Sequence, residues 1–516
     1  MSSQTADLVL YNANILTVDS RRPRAELVAV GAGEIVWVGC NDDLELFKAR
    51  SRLINCEGRT VVPGFNDAHI HVLSYASKLL GIDCSPSSVT SISDIQREIR
   101  RHAQRVPPGT WLKAHGYNEF YLAERRHPTR RDLDLAAPNH PVRLEHRSQH
   151  ACVLNSMALS LAGISVETPD PPGGQIDREI DTGEPSGLLF GMSTYMSDRV
   201  TPAISEEELE KGVELADKRF LSSGITSVQD TSVKNKFAQW QTFRRLKDRG
   251  KLTPRVSVMF GLHAIAKLKA QGMGPGYGDS QLRVGGIKMV LDEVGGRLNP
   301  PQDELNEDVF REHKDGFQVA MHAVEEGTVE AAAAALEYCM RVAPREDHRH
   351  RIEHCSVCPP QLMQRLKSIN PVVVTQPAFI YYSGERYLQD VPEIQLPWLY
   401  RTRSFLESGL GPAASSDCPV VPFAPLIGLY AAVTRKAESG QVLSPEQVVS
   451  PEQALQMYTL NGAYASFEEH VKGSIEVGKL ADMVVLSADP TEVAPDEIKE
   501  IRVEKTIIGG EIVWEL

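Results

Sequence analysis

The hydrophobic pattern divides the chain into strand-like ends and a long middle in which strand and helix patterns alternate. Ala6–Val18 is rich in apolar and β-forming residues, and Leu27–Val30 and Glu34–Val38 flank Gly31-Ala32-Gly33. Short runs of this kind bounded by turn residues read as strands. At the other end, Ala481–Leu486 is followed by Val503–Ile508 and Glu511–Trp514 on either side of the hairpin pair Gly509-Gly510. A two-stranded ribbon is marginal alone. The two ends are therefore expected to complete one another as a small β-sandwich domain, residues 1–62 plus 466–516.

The middle shows the helical spacing of Glu206–Ser222, then strand-like Gly224–Asp230, Gly286–Asp292 and Gly316–His322. The alanine-rich helix Gly327–Cys339 follows, then Arg351–His354, helix Pro360–Lys367, Val372–Gln376 and Gly411–Asp417. Regular alternation predicts a parallel sheet with helical crossovers. A closed (β/α)8 TIM-type barrel over 63–465, with a long insertion around 72–200, accommodates the count better than an open sheet. Pro169–Gly191, rich in Pro, Gly and Asp, reads as an irregular excursion: a lid, a substrate-shaping loop or a crossover.

Composition narrows the partners. The 516 residues are enough for a large core and more than one domain, and 42% hydrophobic with 24% charged residues is ordinary for a soluble chain. A net charge of −13 argues against nucleic acid and against an anionic membrane. The most apolar long stretch, Cys418–Val433, is interrupted by Pro419, Pro422 and Pro425 and is too short to span a bilayer. No basic segment precedes an apolar one in Met1–Leu10, and the eight cysteines form no framework, so reduced thiols in the cytoplasm are expected.

Chemistry begins where Val61-Val62-Pro63-Gly64-Phe65-Asn66-Asp67-Ala68 runs into His69-Ile70-His71. In an extended segment the two imidazoles share one side of the chain and supply half of a Zn²⁺ site. Alone, the pair says little. Its weight comes from polar residues at the ends of later apolar strands, namely Lys288, His322, His354 and Asp417, since all strand ends of a barrel converge on one face. Each has an ordinary reading: His322 as a helix cap, Asp417 as a turn cap. Lys288, between Ile287 and Met289, is harder to place, because a lysine in an apolar strand is costly unless neutralised or paired. Cys355 and Cys358 beside His354 offer a rival structural zinc site, but it leaves His69, His71, His322 and Lys288 unexplained.

Two motifs together, Val62–His71 near the start and Lys479–Leu486 near the end, are similar to those of the amidohydrolase superfamily. The branch resembled includes N-substituted formamide deformylase and related metal-dependent hydrolases, and the likeness runs along nearly the whole chain. The resemblance implies two divalent ions, Zn²⁺ by preference. His69 and His71 would hold the more buried ion, and His322 and His354 the second. Lys288 would be carbamylated by CO₂ to bridge them, and Asp417 would touch the first ion and shuttle the proton. His150, in the segment Glu145–Ser156, is placed near the substrate; Asp292 and Tyr381 join the substrate wall. Many relatives carry Asp-Gly-Ser after the lysine where this chain has Asp292-Glu293-Val294, so the substrate is expected to differ from those of the formamide-cleaving relatives.

The implied activity is hydrolysis of a non-peptide C–N bond, an N-acyl or N-formyl amine, by metal-activated hydroxide. Asp417 would return the proton to the leaving nitrogen, and His150 would face the oxyanion. The implied partner is a small molecule, and a homodimer is common among relatives. Alternatives are a deaminase, which needs one metal and no carbamate, another hydrolase or a decarboxylase of the superfamily, and a non-catalytic binding protein on a dead barrel. The presence of all six candidate ligands disfavours the last.

Overall fold

The computed structural model describes residues 6–48, 51–148, 150–171, 173–192, 195–294 and 297–516. The chain forms two compact units, Met1–His71 with Asp217–Leu516, and Val72–Ala216.

The first unit is built on an eight-stranded sheet. In chain order its strands are Phe65–Ile70, Ile225–Asp230, Arg255–Gly261, Leu282–Val290, Val319–Ala323, Arg351–His354, Val372–Thr375 and Ala413–Ala414. Each pairs with the next in parallel. Beyond the eighth strand the backbone returns to the first: Asp417 N donates to the His69 carbonyl at 2.8 Å, and His71 N to that of Cys418 at 2.9 Å. These bonds complete the circuit of a barrel. Every residue of Arg255–Gly261 and Val372–Thr375 is buried, as parallel strands covered on both faces must be. The helix Glu326–Val342 turns Val329, Ala332, Ala333, Leu336 and Cys339 inward, the i, i+3, i+4 spacing of one apolar stripe.

The strand Arg255–Gly261 went unread in the sequence. Its polar positions interrupt the apolar run, and Arg255 finds its partner only in the fold. Its guanidinium makes a buried fork with Asp482, Nε to Oδ2 at 2.6 Å and Nη2 to Oδ1 at 2.9 Å.

Asp482 precedes the strand Met483–Leu486, which belongs to a six-stranded sheet drawn from both chain ends. The order is Glu511–Glu515, Val503–Ile508, Met483–Leu486, Thr60–Pro63, Asn14–Leu16, Arg24–Ala25. A four-stranded sheet, Glu34–Gly39, Leu27–Gly31, Leu8–Tyr11, Arg52–Asn55, shares one core with it through Leu10, Val28, Ile15, Val61, Met483 and Ile507. Thr60–Pro63 passes straight into the first barrel strand through Gly64. A Cβ there would lie 2.1 Å from Thr226 Oγ1 on the second strand, so only glycine permits this approach.

The second unit has its own six-stranded mixed sheet, in the order Gln175–Arg178, Pro185–Phe190, Ala151–Leu154, Val142–His146, Leu112–Tyr117, Ile82–Asp83. Its core includes Ile95 and Ile99 of helix Ile92–Ala103 with Leu112, Leu133 and Leu144. The long excursion Pro169–Gly191 supplies the hairpin Gln175–Arg178/Pro185–Phe190 of this sheet. Those strands are short, Gln-Ile-Asp-Arg and Pro-Ser-Gly-Leu-Leu-Phe, and neither shows a clear alternation, so their period was not visible. No helix among the described residues is long and apolar enough to cross a membrane.

Arg255→Ala should destabilise the protein by about 3–5 kcal/mol in denaturant unfolding, because it leaves the Asp482 carboxylate buried without its counter-charge. A change below about 1 kcal/mol would show that the fork is solvated.

Candidate metal centre

The first, fourth, fifth, sixth and eighth barrel strands bring their polar residues to one end. His69 closes the buried strand Phe65–Ile70 and His71 follows it, their rings edge-on with centroids 5.4 Å apart. Asp417 Oδ1 lies 3.3 Å from His69 Nε2 and 3.2 Å from His71 Nε2. The candidate ligand atoms of these three residues all lie within 4.8 Å of one another. Asp417 reaches this place with φ +55°, and His354 occupies its own with φ +70°. Left-handed backbone at non-glycine residues costs about 1–3 kcal/mol and concentrates at functional sites.

His354 joins this group to His322. Its ring centroid is 4.9 Å from that of His69 and 4.4 Å from that of His322. His354 Nδ1 stands 2.9 Å from Gln376 Oε1, and the Gln376 amide is oriented by donating to Ser415 Oγ at 3.0 Å. An amide oxygen only accepts, so Nδ1 carries the proton and Nε2 presents a lone pair. Burial pulls His354 down to about 4 and His322 well below its ordinary value, which keeps both imidazoles neutral. Neutral imidazole is the form that binds metal.

Lys288, on the fourth strand, is 3% exposed, and its Nζ has no hydrogen-bond partner among the described residues. Burial draws its ammonium down to about 8, against the attraction of Glu353 and Asp417. Burial alone would raise the Asp417 carboxyl, but the imidazoles of His69, His71 and His354 hold it well below the usual carboxylate range.

Sequence reading missed the pair behind His69. Glu353 Oε2 lies 2.5 Å from His69 Nδ1, and Arg351 grips the same carboxylate from Nε at 2.6 Å and Nη2 at 3.0 Å. Arg351 and Glu353 are both fully buried. The available signal was two opposite charges at i and i+2 in a strand otherwise apolar up to its histidine, which places both on one face.

These contacts test whether a cation fits. His69 Nδ1 is engaged by Glu353, while His69 Nε2 and His71 Nε2 both face one Asp417 oxygen, at 3.3 and 3.2 Å. A divalent ion among these atoms would take the place of the imidazole protons as the positive partner of the carboxylate. His354 Nε2 is also buried without a hydrogen-bond partner among the described residues. Imidazoles, a carboxylate and an unpartnered amine form a donor set suited to a divalent metal.

The remaining candidates are placed as follows. Asp292 begins a short hairpin, Asp292–Val294 with Arg297–Asn299, directly after the fourth strand, where a loop was expected. Gly295 and Gly296 lie outside the described residues. Tyr381, on helix Ala378–Asp390, meets the rings of Tyr382 and Tyr430. His150 is exposed in the second unit, where its carbonyl accepts from Gly191 N at 2.8 Å. Cys355 and Cys358 are buried free thiols; Cys355 is held well above its ordinary value by the neighbouring Cys358 thiol and by burial, which disfavours the thiolate a zinc site needs. Among the described residues they join no three-ligand group.

A family model described as the amidohydrolase family matches residues 52–514. The chain belongs to this family. An N-substituted formamide deformylase of Arthrobacter pascens is 30% identical, covering 99% of each chain. The fold is shared with two crystal structures titled as uncharacterised metal-dependent hydrolases. That from Pyrococcus furiosus is 24% identical with a TM-score of 0.74, covering 94% of this amidohydrolase and 100% of the other chain. That from Pyrococcus horikoshii OT3 is 22% identical with a TM-score of 0.75, covering 95% and 99%.

Lys288→Met should leave the amidohydrolase folded and, in chelator, more stable by about 1–3 kcal/mol, since it removes a buried polar group that lacks a partner. Denaturant unfolding measures this; an equal loss of stability would show that the amine is paired.

Proposed function

We propose that this amidohydrolase is a metal-dependent hydrolase of a non-peptide C–N bond, acting on an N-acyl or N-formyl amine. The observation that carries the reading is the meeting of His69, His71 and Asp417, joined through His354 to His322, with the buried Lys288 in electrostatic reach of Asp417 and His322. The formamide deformylase similar along the whole chain supports the kind of reaction. In this proposal His69, His71 and Asp417 hold one Zn²⁺, and His322 and His354 hold a second. Lys288 serves as the bridging ligand after carbamylation. Its depressed ammonium favours this, because attack on the carbon of CO₂ requires the neutral amine. His150, Asp292 and Tyr381 are proposed as substrate contacts on resemblance alone. The two terminal sheets are read as one sandwich domain, and the setting as cytoplasmic, with a small-molecule partner.

A divalent ion bound here would supply Lewis acidity and lower the pKa of water toward neutrality. The protein's own residues manage protons and orientation. Asp417, held anionic by three imidazoles, takes the proton of the attacking water and returns it to the leaving nitrogen. That return is needed because an amide nitrogen leaves poorly unprotonated. Glu353 and Gln376 fix the rings of His69 and His354. The tight grouping of His69, His71 and Asp417 favours one second reading, a mononuclear centre with deaminase chemistry. Full activity without Lys288 would select it.

The test is a panel of N-formyl and N-acyl amines in ¹⁸O-labelled water, following amine release and label in the acid product. Wild type should release amine and place one labelled oxygen in the acid. Asp417→Asn should fold normally and lose about 10²–10⁴-fold in kcat. Unlabelled product, release of CO₂ or a fully active Asp417→Asn would reject the proposal.

A further inference from the structure

Three imidazoles of the candidate centre are oriented by groups of different polarity. His71 Nδ1 faces the Ser232 hydroxyl at 3.0 Å, His354 Nδ1 the Gln376 amide oxygen at 2.9 Å, and His69 Nδ1 the Glu353 carboxylate at 2.5 Å. A carboxylate behind an imidazole fixes the tautomer and raises the basicity of the other ring nitrogen more than a neutral acceptor does. From this grading we infer that Glu353, locked by Arg351, is a positioning residue that makes His69 a stronger imidazole donor than His71 or His354 and sets which metal position fills first. The inference rests on the metal reading proposed above and deepens it.

Arg351 does more than neutralise Glu353. Beyond its two bonds to that carboxylate, Nη2 donates to the carbonyl of Ala68 at 2.7 Å, and Nη1 to Gln229 Oε1 at 2.5 Å. Gln229 in turn donates to the Gly462 carbonyl at 2.7 Å. The guanidinium thus holds both the carboxylate and the backbone immediately before His69, tying the sixth strand to the first. Arginine and glutamate balance in charge, which makes their complete burial tolerable. A purely structural ion pair would need only the fork between them; the further contact to His69 Nδ1 is directed at a candidate ligand.

The test is back-titration of chelator-treated protein with Zn²⁺ against a chromophoric chelator, for wild type, Glu353→Gln and Glu353→Asp, with Co²⁺ absorption spectra in parallel. Glu353→Gln should weaken the tightest binding step by about 10–100-fold and alter the Co²⁺ spectrum. Glu353→Asp, which keeps a carboxylate for Arg351 but falls short of His69, should lie between the two and covers the case in which Glu353→Gln fails to fold. A folded variant that binds the first ion with wild-type affinity, even if less stable to heat, would overturn the inference and reduce Glu353 to a structural role. Wild type that takes up no ion would overturn the metal reading itself and this assignment with it.

Discussion

The contact on which the site depends is the approach of one buried carboxylate to two imidazoles. Asp417 stands within 3.3 Å of both His69 and His71. It is held there by the same backbone bond that joins the end of the eighth strand to the first. Closing the barrel and assembling the candidate ligands are therefore one event. A first strand displaced from the eighth would lose His69, His71 and Asp417 together, and with them the reason for His354 to accept a left-handed backbone.

Around that contact the barrel end carries features that oppose stability: an amine with no hydrogen-bond partner among the described residues, neutralised imidazoles, and His354, Cys355 and Asp417 at positive φ. Local rules broken in one place, on strands that otherwise obey them, are the mark of a functional site. The surrounding packing offsets the cost. The Arg351–Glu353 pair ties the sixth strand to the first, the Arg255–Asp482 fork ties the barrel to the terminal sheets, and Gly64 lets the chain cross from one to the other without a gap.

Much of this was legible because each candidate ligand is a polar residue ending an apolar run. His69, His71, Lys288, His322 and His354 all stand out against strand-like neighbours, and the strand–helix alternation points to a barrel whose ends converge. What the sequence hid depends on distant partners. Glu353 and His69 are 284 positions apart, and nothing local in either marks the other. Arg255 made its strand look polar until Asp482, 227 positions on, accounted for it. The strands at Gln175–Arg178 and Pro185–Phe190 are too short for their period to show. Tyr381 was read from its place after the seventh strand, but its ring contacts with Tyr382 and Tyr430 are set by helix packing.

The central claim is that these residues form a metal centre in which Lys288 takes part. Elemental analysis of protein purified without chelator, for wild type and Lys288→Ala, tests it most directly. The account predicts close to two divalent ions per chain in the wild type and a clear fall in the variant. Wild type devoid of metal even after reconstitution, or a metal content that ignores the loss of Lys288, would contradict it.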